Sequence, residues 1–266
     1  MKIHFHLNEI KPGLKKCKDD LVEKAGRLGI SEATAEEADI VVVLGGDGTF
    51  LRAVHLYPGV PVLGFKKGGL GYLSSVGDGE FEMALEMLAA GKYRISERGL
   101  LEVRKPGDRS TSHIALNDIV AMRELSGHSA LLELLADGKP VARYMSDGLI
   151  FSTPTGSTAY SLAAGGPVLM PDSGCVVVTP MNPHALGVRP LVVNDSVRFT
   201  LTARRRTAGN SMKVGIYADG VGVLSIEEGE SVEISKSGEI AKLIELEGYD
   251  PYGVLARKLG WSGCNL

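Results

Sequence analysis

Residues 38–51 read Ala38-Asp39-Ile40-Val41-Val42-Val43-Leu44-Gly45-Gly46-Asp47-Gly48-Thr49-Phe50-Leu51. Ile40 to Leu44 is apolar at every position, the pattern of a central parallel strand buried on both faces. Phe50, Leu51 and Val54 make a helical stripe, with Thr49 as the expected N-cap of a helix over 49–56. Asp47 therefore stands where a strand ends and a helix begins, the place where open α/β sheets bind ligands. The glycines around it let backbone approach a substrate closely and leave N–H groups for phosphate. The chain has five Asp-Gly pairs, at 47, 78, 137, 147 and 219. Such a pair is first of all a turn. Only Asp47 has Gly-Gly before it and a hydroxyl residue plus a helix after it, so it alone reads as a site.

Outward from this stretch, the first third alternates strand and helix: a strand at 2–7, a helix at 14–28, the strand at 40–44, a strand at 60–65 and a helix at 80–90. That order predicts an α/β domain with a parallel sheet over residues 1–92. From Gly91 onward strand-like runs dominate, with Asp137-Gly138 and Asp219-Gly220 placed between runs as hairpin turns should be. Residues 93–246 are predicted to form a mostly antiparallel β domain, interrupted by a short helix near 160–164. Residues 247–266 read as a helical tail that returns to the first domain.

The chain has 266 residues, enough for two cores, and a formal charge of −3, which gives no reason to expect nucleic acid or an anionic membrane as partner. Thirty-four glycines are nearly twice the usual ~7%, so tight turns and backbone-lined sites are expected. Cys17, Cys175 and Cys264 lie far apart without zinc spacing, and the first residues lack a signal-peptide apolar region, so the chain reads as reduced and cytoplasmic. No structural metal site is expected.

Three further segments carry chemistry. Seven of the ten residues from Ser152 to Ser161 bear hydroxyls, in a segment entered by an apolar strand and left by a small-residue helix. Such clusters are often solvated loops, but this placement could aim hydroxyls and helix N–H groups at nucleotide hydroxyls and phosphates. Asn117-Asp118 is a polar pair inside an apolar run over 113–122. It is either wet at a strand edge or turned to a cleft, where it would suit an adenine or a ribose. Gly64 to Leu73 places glycines and two lysines after a strand without the Gly-Lys-Ser/Thr ending of a Walker A loop. Arg204-Arg205-Arg206 reads as a solvated hairpin tip.

Gly45-Gly46-Asp47-Gly48-Thr49, then Asn117-Asp118, then Asp147-Gly148 with Thr153-Pro154-Thr155-Gly156-Ser157-Thr158-Ala159-Tyr160, resemble the NAD kinases across nearly the whole chain. Pro183-His184-Ala185-Leu186 with Arg189-Pro190 is similar to a later segment of that family. The Gly-Gly-Asp-Gly motif alone is shared with diacylglycerol-type lipid kinases and phosphofructokinases; the Thr-Pro-Thr-Gly-Ser-Thr-Ala-Tyr segment is far more specific. The resemblance implies an NAD kinase-like fold and phosphorylation of the adenosine 2′-hydroxyl of NAD to give NADP. ATP, or in some members polyphosphate, would be the donor, with Mg²⁺ arriving on the ATP. It implies Asp47 as general base beside Gly48, Arg52 near phosphates, Asn117 and Asp118 on the ribose and adenine, and Asp147 on the nicotinamide side. Thr158, Ala159, Tyr160, Ser161, Leu162 and Ala163 would line the adenosine pocket, and a homo-oligomer is implied. This chain departs from the family pattern at Asp118, where Glu is usual, at Lys66, where many members carry Asn, and at Val221, where Gln is frequent. A lipid kinase and a catalytically silent NAD(P)-binding sensor are the competing readings.

Overall fold

The computed structural model describes residues 1–8, 13–66, 71–73, 76–77, 79–108, 110–124, 129–204 and 213–261. Lys67, Asp78, Arg205, Arg206 and Cys264, singled out in the sequence, lie outside them. The chain divides into two compact units, Met1–Glu97 with Ala241–Leu266, and Arg98–Ile240.

The first unit begins with β1 (Lys2–Leu7), α1 (Leu14–Arg27), β2 (Ser31–Glu32), β3 (Ile40–Leu44), α2 (Asp47–Leu56), β4 (Val62–Phe65) and α3 (Phe81–Ala89). The strands run parallel in the order β2-β1-β3-β4, with Ile3 beside Ile40 and Leu44 beside Phe65. All five residues of β3 are buried because the strand has a neighbour on each edge and cover on each face. Leu21 and Ala25 of α1 and Leu85 and Leu88 of α3 join Phe5, Val42, Leu63 and Phe65 in one core. Phe65 stacks on Phe81 at 4.7 Å between centroids. Each such side chain, fully buried, contributes roughly 1.5–3 kcal/mol. That anchors the C-terminal ends of β3 and β4, from which the site loops spring.

The second unit contains part of β5 (Tyr93–Arg104), then β6 (His113–Ala115), β7 (Asp118–Arg123), β8 (Ala130–Ala136), β9 (Lys139–Ser146), β10 (Gly148–Ser152), α4 (Tyr160–Ala163), β11 (Cys175–Met181), β12 (Leu191–Asn194), β13 (Phe199–Arg204), β14 (Lys213–Ala218), β15 (Val221–Glu227) and the first part of β16 (Ser231–Leu246). One antiparallel sheet runs β12-β11-β10-β7-β14-β15, and a second antiparallel set runs β16-β13-β8-β9. Alternate residues of both, among them Leu132, Leu134, Phe151, Phe199, Ile216 and Ile234, fill a shared core. Two of the Asp-Gly pairs make the hairpin turns expected of them. Asp137 and Gly138 have φ of 49° and 74°, and Asp219 and Gly220 have φ of 47° and 81°, the doubly left-handed backbone of a two-residue turn.

The closing helix α5 (Pro251–Leu259) belongs to the first unit. Asp250 caps it by accepting the Tyr252 N–H at 3.0 Å. Among the described residues no helix is long and apolar enough to cross a membrane.

Three local expectations are corrected. The helix after β3 begins at Asp47, not Thr49, with Gly46 in the cap position and no side-chain cap. The Thr49 side chain instead folds back over Gly45, where a Cβ would stand 2.5 Å from its Oγ1. The run 113–122 is broken at Leu116-Asn117 into β6 and β7. Asp147-Gly148 is not a turn: Asp147 stays laddered, its N–H to Met181 O at 2.9 Å and its carbonyl accepting from Arg123 N–H at 3.1 Å. The chain passes across it from β9 directly into β10.

Candidate active site

In the first unit, β3 ends at Leu44 and the backbone passes through Gly45 and Gly46 into α2, so Asp47 occupies the first position of that helix. Its carboxylate accepts the Tyr72 N–H at 3.1 Å and the Leu73 N–H at 3.3 Å, one on each oxygen. The loop after β4 thus fixes the direction of the carboxyl while the negative charge sits at the positive end of a helix. Asp47 is half-buried and Gly48 beside it is exposed. Arg52 is exposed on α2, five residues along from Asp47 and so about 140° round the helix.

In the second unit, Asn117 and Asp118 fall at the break between β6 and β7, and the reason for the break lies elsewhere in the chain. The Asp219 carboxylate, at the β14–β15 turn, accepts the N–H groups of Leu116 at 2.8 Å, Asn117 at 2.7 Å and Asp118 at 3.2 Å. Consecutive N–H groups converging on one anion form a nest, and charge-assisted bonds of this kind are about twice as strong as neutral ones. From the other side Thr153 Oγ1 donates to Leu116 O at 2.6 Å and accepts the Gly156 N–H at 3.0 Å. The Thr153 N–H donates to Asn117 O at 2.9 Å. Gly156 is packed so closely that a Cβ would lie 2.0 Å from Asn117 O. The Asn117-Asp118 pair is therefore stapled between Asp219 and the hydroxyl-rich loop, its main chain committed and the Asn117 side chain left half-exposed.

Asp118 is 5% exposed. Burial pushes its carboxyl up to about 7, and the neighbouring Asp219 charge pushes in the same direction.

Most hydroxyls of 152–161 build the loop rather than face outward, because buried hydroxyls need partners. Ser157 donates to Pro154 O at 2.7 Å and accepts the Leu169 N–H at 2.9 Å. Ser161 is paired with Thr179 at 2.8 Å. Thr158, Ala159 and Leu162 are half-buried, and Tyr160 and Ala163 are exposed on the outer side of the same segment. Asp147 does not join this cluster. Along the β10–β7 ladder Ser152 faces Asp118 and Gly148 faces Met122, so Asp147 stands past the opposite end. There it pairs with Arg123 Nε at 2.9 Å and accepts from Asn182 Nδ2 at 2.9 Å.

Comparison with known proteins settles the family. Residues 2–93 match the model of the ATP-NAD kinase N-terminal domain and residues 116–246 that of the C-terminal domain. An NAD kinase of Symbiobacterium thermophilum is 40% identical over 245 residues, 88% of this chain and 85% of that protein. The chain belongs to the NAD kinase family. Among solved structures, an NAD kinase from Archaeoglobus fulgidus in complex with ATP is similar at a TM-score of 0.79 and 26% identity, covering 98% of this chain and 99% of the other. Yeast NADH kinase complexed with NADH has the same fold, with a TM-score of 0.85 at 22% identity over 100% of this chain and 89% of that one.

Set within the NAD kinase family, the residue that sequence reasoning missed is Asp219. Val221, two residues on, is the position the resemblance leaves outside the site, and it is 65% exposed. The usable signal was the Asp-Gly pair itself: a turn aspartate has a carboxylate left over for a neighbouring backbone.

Proposed function

We propose a division of labour between the two clusters in the phosphorylation of NAD to NADP with ATP, the reaction of this kinase family. Asp47 acts as general base toward the adenosine 2′-hydroxyl, and Asn117, Asp118 and the Thr158–Ala163 segment hold the adenosine. The observation that carries this reading is the Asp47 carboxylate fixed by two backbone N–H groups. An ionised carboxylate offers about four acceptor positions, so one held by backbone N–H groups is oriented and still chemically able to accept a hydroxyl proton. The 2′-oxygen attacks the γ-phosphorus, the bond to the β–γ bridging oxygen breaks with its electrons leaving on ADP, and the hydroxyl proton passes to Asp47. Because phosphoryl transfer depends chiefly on alignment and charge stabilisation, holding the carboxylate still matters as much as its basicity.

Among the described residues no group of three or more His, Cys, Asp or Glu could hold a metal. Mg²⁺ enters in this reading as part of the Mg–ATP substrate, kept by phosphate oxygens, water and at most one or two carboxylates. Asp147 serves the nicotinamide side, its carboxyl oriented by Arg123 and Asn182. A homo-oligomer belongs to the same reading, as the family resemblance implies.

The test is incubation of the purified chain with NAD and either Mg–ATP or polyphosphate, with NADP read by an NADP-specific dehydrogenase. NADP from either donor is the expected result. Silence with both overturns the reading, and phosphorylation of diacylglycerol instead would assign the chain to lipid chemistry.

A further inference from the structure

The closing helix brings a cation to the same corner as Asp47. Two basic residues end α5, Arg257 and Lys258. Arg257 is exposed, as suits a charge that complements the negative end of a helix. Lys258 turns inward. It is half-buried, with Nζ 5.7 Å from the centroid of the Tyr72 ring, and the Tyr72 N–H is the group that donates to Asp47 at 3.1 Å. Burial pulls the Lys258 ammonium below the usual lysine range, the like charge of Lys66 pulls it further, and the Asp47 carboxylate opposes both. An ammonium placed partly out of water and beside another cation is disfavoured when left to itself, whereas an arriving phosphate would stabilise it.

We propose that Lys258 is a catalytic residue that contacts the terminal phosphate of the donor and, after transfer, the 2′-phosphate of NADP. This rests on the reading of Asp47 given above. In the transfer the bond from the 2′-oxygen to the γ-phosphorus forms as the β–γ bridging bond breaks, and the proton goes to Asp47. Lys258 remains an ammonium throughout and donates to the non-bridging oxygens, where the charge of the transition state lies. The Tyr72 ring holds that ammonium in place through its negative face, so the loop that orients the base also orients the cation.

The test uses the full chain with Lys258→Met, which keeps the stem over Tyr72, and Lys258→Arg, which keeps the charge. Lys258→Met should lower kcat about 10²-fold, the usual effect of losing one preorganised donor at a developing charge, with the NAD KM little changed. Lys258→Arg should recover most of that loss. Calorimetry without ATP should show NADP binding weakened about tenfold by Lys258→Met, as for loss of a charge-assisted bond, while NAD binding stays as it was. Exposed Arg257→Met should match wild type in kcat, NAD KM and both affinities. An active wild type whose Lys258→Met variant keeps its kcat and its NADP affinity overturns this inference alone. So does a loss that Arg fails to restore and that comes with a lowered melting temperature, since that assigns Lys258 to helix docking. A wild type that makes no NADP overturns the reading beneath it as well.

Discussion

The corner at Asp47 and the staple at Asn117-Asp118 use one interaction in opposite senses. At Asp47, backbone N–H groups of Tyr72 and Leu73 hold a side-chain carboxylate in place. At the staple, the side-chain carboxylate of Asp219 holds the backbone N–H groups of residues 116–118 in place. The first arrangement orients a charge, which suits a reacting group. The second immobilises main chain so that the half-exposed Asn117 side chain is presented without loss of shape, which suits recognition. The two aspartates differ accordingly. Asp47 meets donors, whereas Asp118 is buried beside a like charge and is raised to about 7.

The largest effect that would break this contrast concerns turnover. Asp47→Asn should lower kcat about 10³-fold, within the range for a general base, and leave the NAD KM within about threefold because the amide is nearly isosteric. A matching loss of binding would make Asp47 a holder of structure like Asp219.

Gly156→Ala attacks the other side of the contrast. Its Cβ would meet Asn117 O at 2.0 Å. Since that neighbour is backbone, the loop must shift, at a cost of about 1–3 kcal/mol as in other overpacked sites. A lowered melting temperature and an NAD KM raised about tenfold or more are expected, checked by thermal melts and initial rates. Unchanged values for both would show that the staple is not tight.

Asp219→Asn sharpens the contrast more gently. Asn tolerates the left-handed backbone of the turn, but one carboxylate oxygen becomes an amide nitrogen and the charge is lost. An NAD KM raised about tenfold is expected from the lost charge-assisted bonds, with kcat within about threefold. A kcat effect exceeding the KM effect would place Asp219 in the chemistry rather than in positioning.

The smallest effect is on stability. Asp118 has a folded-state carboxyl raised from 3.8 to about 7, so the unfolded chain ionises it first. Its contribution to stability is fully present below pH 3.8 and is lost as pH rises to about 7. Asp118→Asn, neutral throughout, should be more stable than wild type at pH 8, and the difference should shrink toward pH 4 in paired thermal melts. A difference independent of pH would mean that Asp118 is not buried as a carboxyl.

Much of this was legible in local pattern. The unbroken apolar run of β3 announced a doubly covered parallel strand, and Gly-Gly before Asp47 announced the strand-to-helix corner. The hairpins at Asp137 and Asp219 followed from turn chemistry. What escaped was non-local. Asp219 acts on residues more than a hundred positions away, and no spacing rule links a turn aspartate to three distant N–H groups. Strand β16 runs on to Leu246, but its middle, Ser235-Lys236-Ser237-Gly238-Glu239, lacks the apolar alternation that marks a strand. The hydroxyls of 152–161 looked ligand-facing because composition cannot tell a buried hydroxyl bonded to backbone from an exposed one. Nothing in the sequence around Lys258 marks it out, and only the fold sets it over Tyr72.

The most direct test of the proposed division between chemistry and recognition is calorimetric titration of NAD into the wild type, Asp47→Asn and Asp219→Asn. Asp47→Asn should bind NAD within about threefold of wild type, while Asp219→Asn should bind about tenfold more weakly. The reverse order, or equal losses in both, would contradict that division.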